Sequence, residues 1–104
     1  MQKLVDGKVV VVTGAGGGIG RDIALAMAAE GAKVVVNDIG TSTTGEGQDA
    51  GPAQRVVDEI RALGGQAVAN TDSVAESAAA SRIIQCALDH FGRIDGVVNK
   101  SKTL

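Results

Sequence analysis

Residues 9–20, with the sequence VVVVTGAGGGIG, decide the fold of this chain. Four valines and a threonine form an apolar run of high β-propensity that leads directly into a cluster of glycines, and an alanine-rich pattern with helical spacing follows. The order predicts a strand, a tight turn and a helix. Glycines let a phosphate approach the main chain, and the amino end of a helix attracts its negative charge. The expected ligand is therefore a nucleotide.

The composition is that of one small packed domain. The chain has 104 residues, of which 44% are hydrophobic and one, Phe91, is aromatic. Aliphatic residues must therefore fill the core, as in a sheet buried on both faces. The net charge is −2, and basic residues do not cluster, which disfavours nucleic-acid and membrane binding. No apolar signal segment or bilayer-spanning stretch is present in the sequence, so a cytoplasmic location is expected.

One cysteine, Cys86, and one histidine, His90, exclude an internal disulfide and a Cys/His zinc site. Both lie in a helical pattern, where Cys86 is expected to be structural and His90 to complement the helix dipole. No metal site is predicted.

Four apolar strands, separated by three helices, are expected at residues 9–13, 33–38, 66–70 and 94–99. A helix between consecutive strands predicts right-handed crossovers and parallel strands. The predicted fold class is α/β, a partial doubly wound Rossmann-type sheet with the strand order 3-2-1-4. Residues 1–104 are expected to form a single NAD(P)-binding domain.

The helices carry recognisable side-chain patterns. In the first helix, Ile19, Ile23 and Met27, and also Ala24 and Ala28, are spaced four residues apart and are expected to face the core. In the second helix, Arg55 and Glu59 are expected to form an i, i+4 ion pair. The segment before this second helix, residues 39–51, lacks periodicity and is expected to be either a solvated insertion or a lid.

Asp38 ends the second strand, where a carboxylate can accept hydrogen bonds from the hydroxyls of a dinucleotide ribose. The alternative is a turn residue that caps its own backbone. An anion here repels a ribose 2′-phosphate, and no lysine or arginine in the glycine turn offsets it. NAD is therefore predicted in preference to NADP.

Asp72 and Ser73 follow the third strand. Ser73 and Glu76 fit an S-x-x-E capping box for a helix expected over residues 74–91. Asp72 has two open roles, a helix-start anion or an acceptor for the adenine amino group. Because the carboxyl ends of parallel strands share one edge, the glycine turn, Asp38, Asp72 and Asn99 are expected to line one crevice.

Residues 13–20, 37–38, 70–74 and 91–99 together resemble the short-chain dehydrogenase/reductase family, whose cofactor turn reads T-G-x-x-x-G-I-G. The resemblance implies hydride transfer between NAD and a secondary alcohol or ketone, and it assigns Asp72 to adenine. It also implies that Gly14, Gly18 and Gly20 with Ile19 line the pyrophosphate and that Asp38 binds the ribose. The full set of predicted cofactor-binding residues is Gly14, Gly17, Gly18, Ile19, Gly20, Asp38, Asp72, Ser73 and Asn99.

A finer resemblance is to the hydroxyacyl-CoA dehydrogenase domain of peroxisomal multifunctional enzymes, which share a long loop after VVVNDIG and the segment VANTDSV. It implies a hydroxyacyl thioester, an acyl-CoA, as substrate. The family's fourth strand continues as Asn-Asn-Ala-Gly, whereas Lys100 follows Asn99 here. The family's catalytic Tyr-x-x-x-Lys has no counterpart, because the chain contains no tyrosine, so no catalytic residue is assigned.

The chain is thus expected to be the truncated cofactor-binding half of an NAD-dependent short-chain dehydrogenase, acting as a homo-oligomer. Two other functions stay open. One is a non-catalytic nucleotide-binding module, and the other is a fragment that folds by assembling, because its fourth strand leaves an apolar edge.

Overall fold

The computed structural model describes residues 6–38, 51–71 and 77–99. Four strands and three helices alternate along these residues. In chain order they are β1 (Val9–Thr13), α1 (Gly18–Ala29), β2 (Lys33–Asn37), α2 (Gly51–Ala62), β3 (Gln66–Asn70), α3 (Ser77–Phe91) and β4 (Gly96–Asn99).

The strands form one parallel sheet in the order β3-β2-β1-β4. This confirms the predicted fold class and strand order. All five residues of β1 are buried, as the uninterrupted apolar run predicts for a central strand covered on both faces.

Helices cover the sheet on both faces and create two cores. On one face, Val10, Val12 and the corresponding valines of β2 pack against buried residues of α1 and α2. On the other face, Val9 and Val11 pack against Ile83 of α3. The result is a three-layer sandwich, and no helix in the described parts of the chain is long and apolar enough to cross a membrane.

The predicted core face of α1 is confirmed at Ala24 and Ala28 and is wrong at Ile19. Ile19 is 67% exposed, whereas Gly20 and Ala24 are buried. Small residues four apart let the helix axis approach the strands closely, so the helix packs through its glycine and alanines. The larger Ile23 and Met27 pack only partly against the core.

The fourth strand begins at Gly96, two residues later than predicted. Asp95 explains this difference, because its carboxylate Oδ2 accepts a hydrogen bond from the Val9 N–H at 2.8 Å. The Asp95 N–H in turn donates to the Val9 carbonyl, also at 2.8 Å. The side chain thus takes the place of a strand carbonyl at the beginning of β1.

Candidate functional site

The glycine turn joins the end of β1 to the beginning of α1 in a conformation that requires glycine at two positions. Gly14 has φ 63° and Gly18 has φ 58°, both in the left-handed region. Gly17 is the N-cap of α1, with an extended φ of −174° and no side-chain cap hydrogen bond. No acidic residue lies in the first turn of α1. The amino end of this helix can therefore serve an external anion.

Gly20 holds the helix against the turn. A Cβ at this position would overlap the carbonyl oxygen of Gly14 and lie 2.9 Å from its carbonyl carbon. Gly17 differs, because a Cβ there would meet no other described part of the chain within 4 Å. Packing thus accounts for the small residue at Gly20, whereas at Gly17 the main chain borders open space.

Asp38 lies against the glycine turn. Its carboxylate Oδ2 accepts a hydrogen bond from the Gly16 N–H at 2.8 Å. A Cβ at Gly16 would lie 2.8 Å from this carboxylate and 2.7 Å from the Cβ of Pro52 in α2. The turn, the carboxyl end of β2 and the amino end of α2 therefore meet at this carboxylate.

A row of polar residues crosses the sheet where its strands end. Thr13, Asn37, Asn70 and Asn99 occupy the same register position on the four strands. Thr13 Oγ1 donates to Asn99 Oδ1 at 2.9 Å, and Asn37 Nδ2 donates to Asn70 Oδ1 at 2.8 Å. The row links neighbouring strands in pairs at the edge where the candidate residues lie.

All four residues lie in segments that carry the family resemblance, but only Asn99 was predicted to bind the cofactor. The signal was present, because each predicted strand changes from apolar residues to a Thr or Asn near its carboxyl end. What the sequence does not give is the register that aligns these four ends. Thr13 and Asn37, each 1% exposed, are the buried polar residues of the described chain.

The structure brings together most of the residues predicted for the cofactor site. The glycine turn contacts Asp38, and Asn99 lies beside Thr13 at the end of β1. The exposed Ile19 lies in the first turn of α1. Asp72 and Ser73 lie outside the described residues, as does most of the segment predicted to be an insertion or a lid.

The guanidinium of Arg21, in the first turn after the glycines, is bound by α2. Its Nε donates to Glu59 Oε1 at 2.9 Å, and its Nη2 donates to Glu59 Oε2. These hydrogen bonds raise the pKa of Arg21 and lower the pKa of Glu59. The predicted pairing of Glu59 with Arg55 is therefore wrong, and Arg55 Nε instead donates to the Gly51 carbonyl at 3.3 Å. The ion pair between Arg21 and Glu59 joins α1 to α2.

Cys86 and His90 lie away from this edge, on α3. His90 Nδ1 is 2.9 Å from the carbonyl oxygen of Cys86, one helical turn earlier. A carbonyl only accepts, so Nδ1 carries the proton and donates it. His90 thus bonds to a carbonyl in the last turn of α3, in keeping with the predicted structural role.

Comparison with known proteins places these features in a family. A family model described as short chain dehydrogenase matches residues 8–101. A short-chain type dehydrogenase/reductase of Mycobacterium tuberculosis is 54% identical over 100 residues, which are 96% of this chain and 35% of that protein. The peroxisomal multifunctional enzyme type 2 of Mus musculus is 54% identical over 99 residues, 95% of this chain and 13% of that one.

A solved structure of a 7α-hydroxysteroid dehydrogenase, complexed with NADH and 7-oxo glycochenodeoxycholic acid, superposes with a TM-score of 0.82 at 40% sequence identity. The superposition covers 94% of this chain and 35% of that one. The chain therefore spans about a third of the M. tuberculosis relative and of this structure, and a smaller share of the multifunctional enzyme.

Proposed function

The chain belongs to the short-chain dehydrogenase family, as its motifs predicted, and from this premise we propose that it is the NAD-binding part of such an enzyme. The complete protein would transfer a hydride between NAD and a secondary alcohol or ketone. When bound, the nicotinamide cofactor supplies or accepts that hydride.

The hydrogen bond from the Gly16 N–H to Asp38 carries this proposal. It sets a carboxylate beside the open amino end of α1. The residues fit a dinucleotide, because the main chain borders open space at Gly17, where a diphosphate would lie on the helix amino end. Asp38 would then accept hydrogen bonds from the adenosine ribose. Ile19 and Asn99 would flank the cofactor along the same edge.

We infer a preference for NAD over NADP from the charges around this carboxylate. A ribose 2′-phosphate would approach Asp38 and be repelled. Arg21 is the nearest cation in sequence to the glycine turn, and its guanidinium is bound to Glu59. It is thus engaged on α2 rather than available to offset the repulsion.

The substrate proposal follows the finer resemblance, to the peroxisomal multifunctional enzymes. We propose a hydroxyacyl thioester as substrate, because that resemblance implies it, and the 54% identity to the mouse multifunctional enzyme supports the resemblance itself. Its name also includes a peroxisomal location, whereas the cytoplasmic location and the homo-oligomer stay predictions. The roles of Asp72 with adenine and of Ser73 beside it also stay predictions. No catalytic residue is proposed within this chain.

Calorimetric titration of the 104-residue chain with NAD tests the proposal. We expect saturable binding, weakened about tenfold in Gly17→Ala, because the added methyl group would occupy the space proposed for the diphosphate. The matched control is Gly96→Ala at the amino end of β4, where a Cβ likewise meets nothing within 4 Å. Equal effects of the two substitutions, or no NAD binding by the unaltered chain, would overturn the proposal. Turnover of a secondary alcohol by the same chain would contradict the non-catalytic alternative.

A further inference from the structure

Asn37 is a buried amide in a strand that otherwise favours valine. It is 1% exposed and follows three buried valines in β2. Burying an amide costs free energy unless hydrogen bonds replace those lost to water. A valine would suit this position of a central strand better. The groups that the amide binds must therefore explain its presence.

The amide of Asn37 binds the last residue of the neighbouring strand. Its Nδ2 donates to Asn70 Oδ1 at 2.8 Å and lies 3.4 Å from the Asn70 carbonyl oxygen. The next residue, Asp38, donates its main-chain N–H to the same carbonyl at 3.0 Å. Two consecutive residues thus fasten the end of β2 to the end of β3, one through the side chain and one through the main chain.

These hydrogen bonds hold Asp38, the residue proposed to bind the ribose, in place. The main chain of Asp38 is anchored on Asn70, while its carboxylate is anchored on the Gly16 N–H. A shift of the β2 end relative to β3 would therefore move the carboxylate away from the glycine turn.

We propose that Asn37 is a positioning residue for the adenosine half of the cofactor. It holds the ends of β2 and β3 in one arrangement, and it acts through Asn70 and Asp38 without touching the cofactor. This inference rests on the proposed function. A purely structural amide pair would change the stability of the fold and leave the affinity of the folded chain for adenosine ligands unaltered.

Two variants separate positioning from stability, with ADP-ribose as the probe. Asn37→Val removes the donor and leaves Asn70 Oδ1 without that hydrogen bond, so it is expected to destabilise the fold. The double variant Asn37→Val/Asn70→Val removes both members of the Nδ2–Oδ1 hydrogen bond, so it avoids leaving Asn70 Oδ1 without that donor and should be more stable than the single variant. We expect both variants to bind ADP-ribose about tenfold more weakly than the unaltered chain, and to discriminate less between NAD and NADP.

Val34→Ala is the control for a general loss of stability. Val34 is fully buried in the same strand, but it lies near the amino end, beside Val10 and Ala67. It should lower stability through a cavity and leave ADP-ribose affinity unchanged when measured on folded protein.

The outcomes distinguish this inference from the proposed function. If the double variant is stable and binds ADP-ribose as tightly as the unaltered chain, Asn37 is structural and the inference is overturned alone. If the unaltered chain binds neither ADP-ribose nor NAD, the proposed function fails and the inference fails with it. If Asn37→Val does not fold, the double variant decides the question.

Discussion

At the scale of single residues, Asp38 determines the proposed cofactor preference. Its Oδ2 accepts a 2.8 Å hydrogen bond from the glycine turn, so the carboxylate lies beside the turn where the cofactor is proposed to bind. Hydrogen bonds to a charged group contribute more than neutral ones, and a like charge on the ligand is repelled. Removing the carboxylate should thus weaken the binding of NAD and relieve the repulsion of the 2′-phosphate of NADP.

We expect Asp38→Ala to weaken NAD binding by about 10- to 100-fold and to reduce the preference for NAD over NADP. Paired titrations with NAD and NADP measure both effects. Asp89→Ala removes the same charge from the exposed side of α3 and should leave the ratio of the two affinities unchanged. An unchanged ratio in Asp38→Ala would show that this carboxylate does not discriminate between the cofactors.

Gly20 illustrates a residue required by packing. An added methyl group would overlap the Gly14 carbonyl and push α1 away from the turn. Gly20→Ala is therefore expected to lower the free energy of unfolding by about 1–3 kcal/mol. Urea denaturation measures this loss, with Gly96→Ala as the glycine control that should unfold close to the unaltered chain. Equal denaturation midpoints for Gly20→Ala and the control would mean that the turn accommodates the added methyl group with no loss of stability.

At the scale of elements, the side chain of Asp95 helps to fix where β1 begins. Asp95 binds the N–H of Val9 at the beginning of β1, and Arg93 Nε and Nη2 donate to it at 2.8 and 2.6 Å. These bonds favour the carboxylate form, so the guanidinium of Arg93 first and the Val9 N–H second lower the pKa of Asp95. The contribution of Asp95 to the stability of the fold therefore depends on pH.

A carboxyl group whose pKa is lower in the folded chain stabilises that chain above its unfolded pKa. The contribution is lost as the pH falls from about 4 through the lower folded value. Asp95→Asn should therefore be less stable than the unaltered chain at pH 7, and the difference should shrink below about pH 4. Urea unfolding at pH 7, 4 and 3 measures it. A difference that stays constant across this range would contradict the assignment.

At the scale of the whole molecule, exposed apolar side chains of β4 and α3 lie close together. Val97 of β4 is 56% exposed, and Ile84 of α3 is 44% exposed. A shallow pocket of about 100 Å³ lies between them and includes Val11 and Ile83. In the described sheet β4 pairs with β1 alone. An apolar strand at a sheet edge favours association.

We expect the 104-residue chain to self-associate through this surface. Light scattering at increasing concentration should report a rising mean mass, and Val97→Lys should reduce it, because a charge on an edge strand opposes pairing. Leu63→Lys is the control, since Leu63 is also exposed, at 75%, but lies away from β4. A stable monomer at all concentrations would contradict the expectation.

The sequence by itself determined the local features of this protein. Runs of β-branched residues predict strands, glycines predict the turn, and helices between strands favour parallel crossovers, so the fold class followed, and its strand order followed from the doubly wound pattern. Asp38 could be selected because it ends the strand that follows the glycine turn and its helix. These inferences depend on neighbours in sequence, whose geometry is set by short-range sterics.

The tertiary structure decided every feature that depends on register or on which helix faces which. Glu59 binds Arg21 from another helix instead of Arg55 one turn away, and Ile19 is exposed because α1 packs through Gly20. The link from Asn37 to Asn70 requires two strands to end at the same level. Such partners are far apart in sequence, and only the packing of the whole chain brings them within hydrogen-bonding distance.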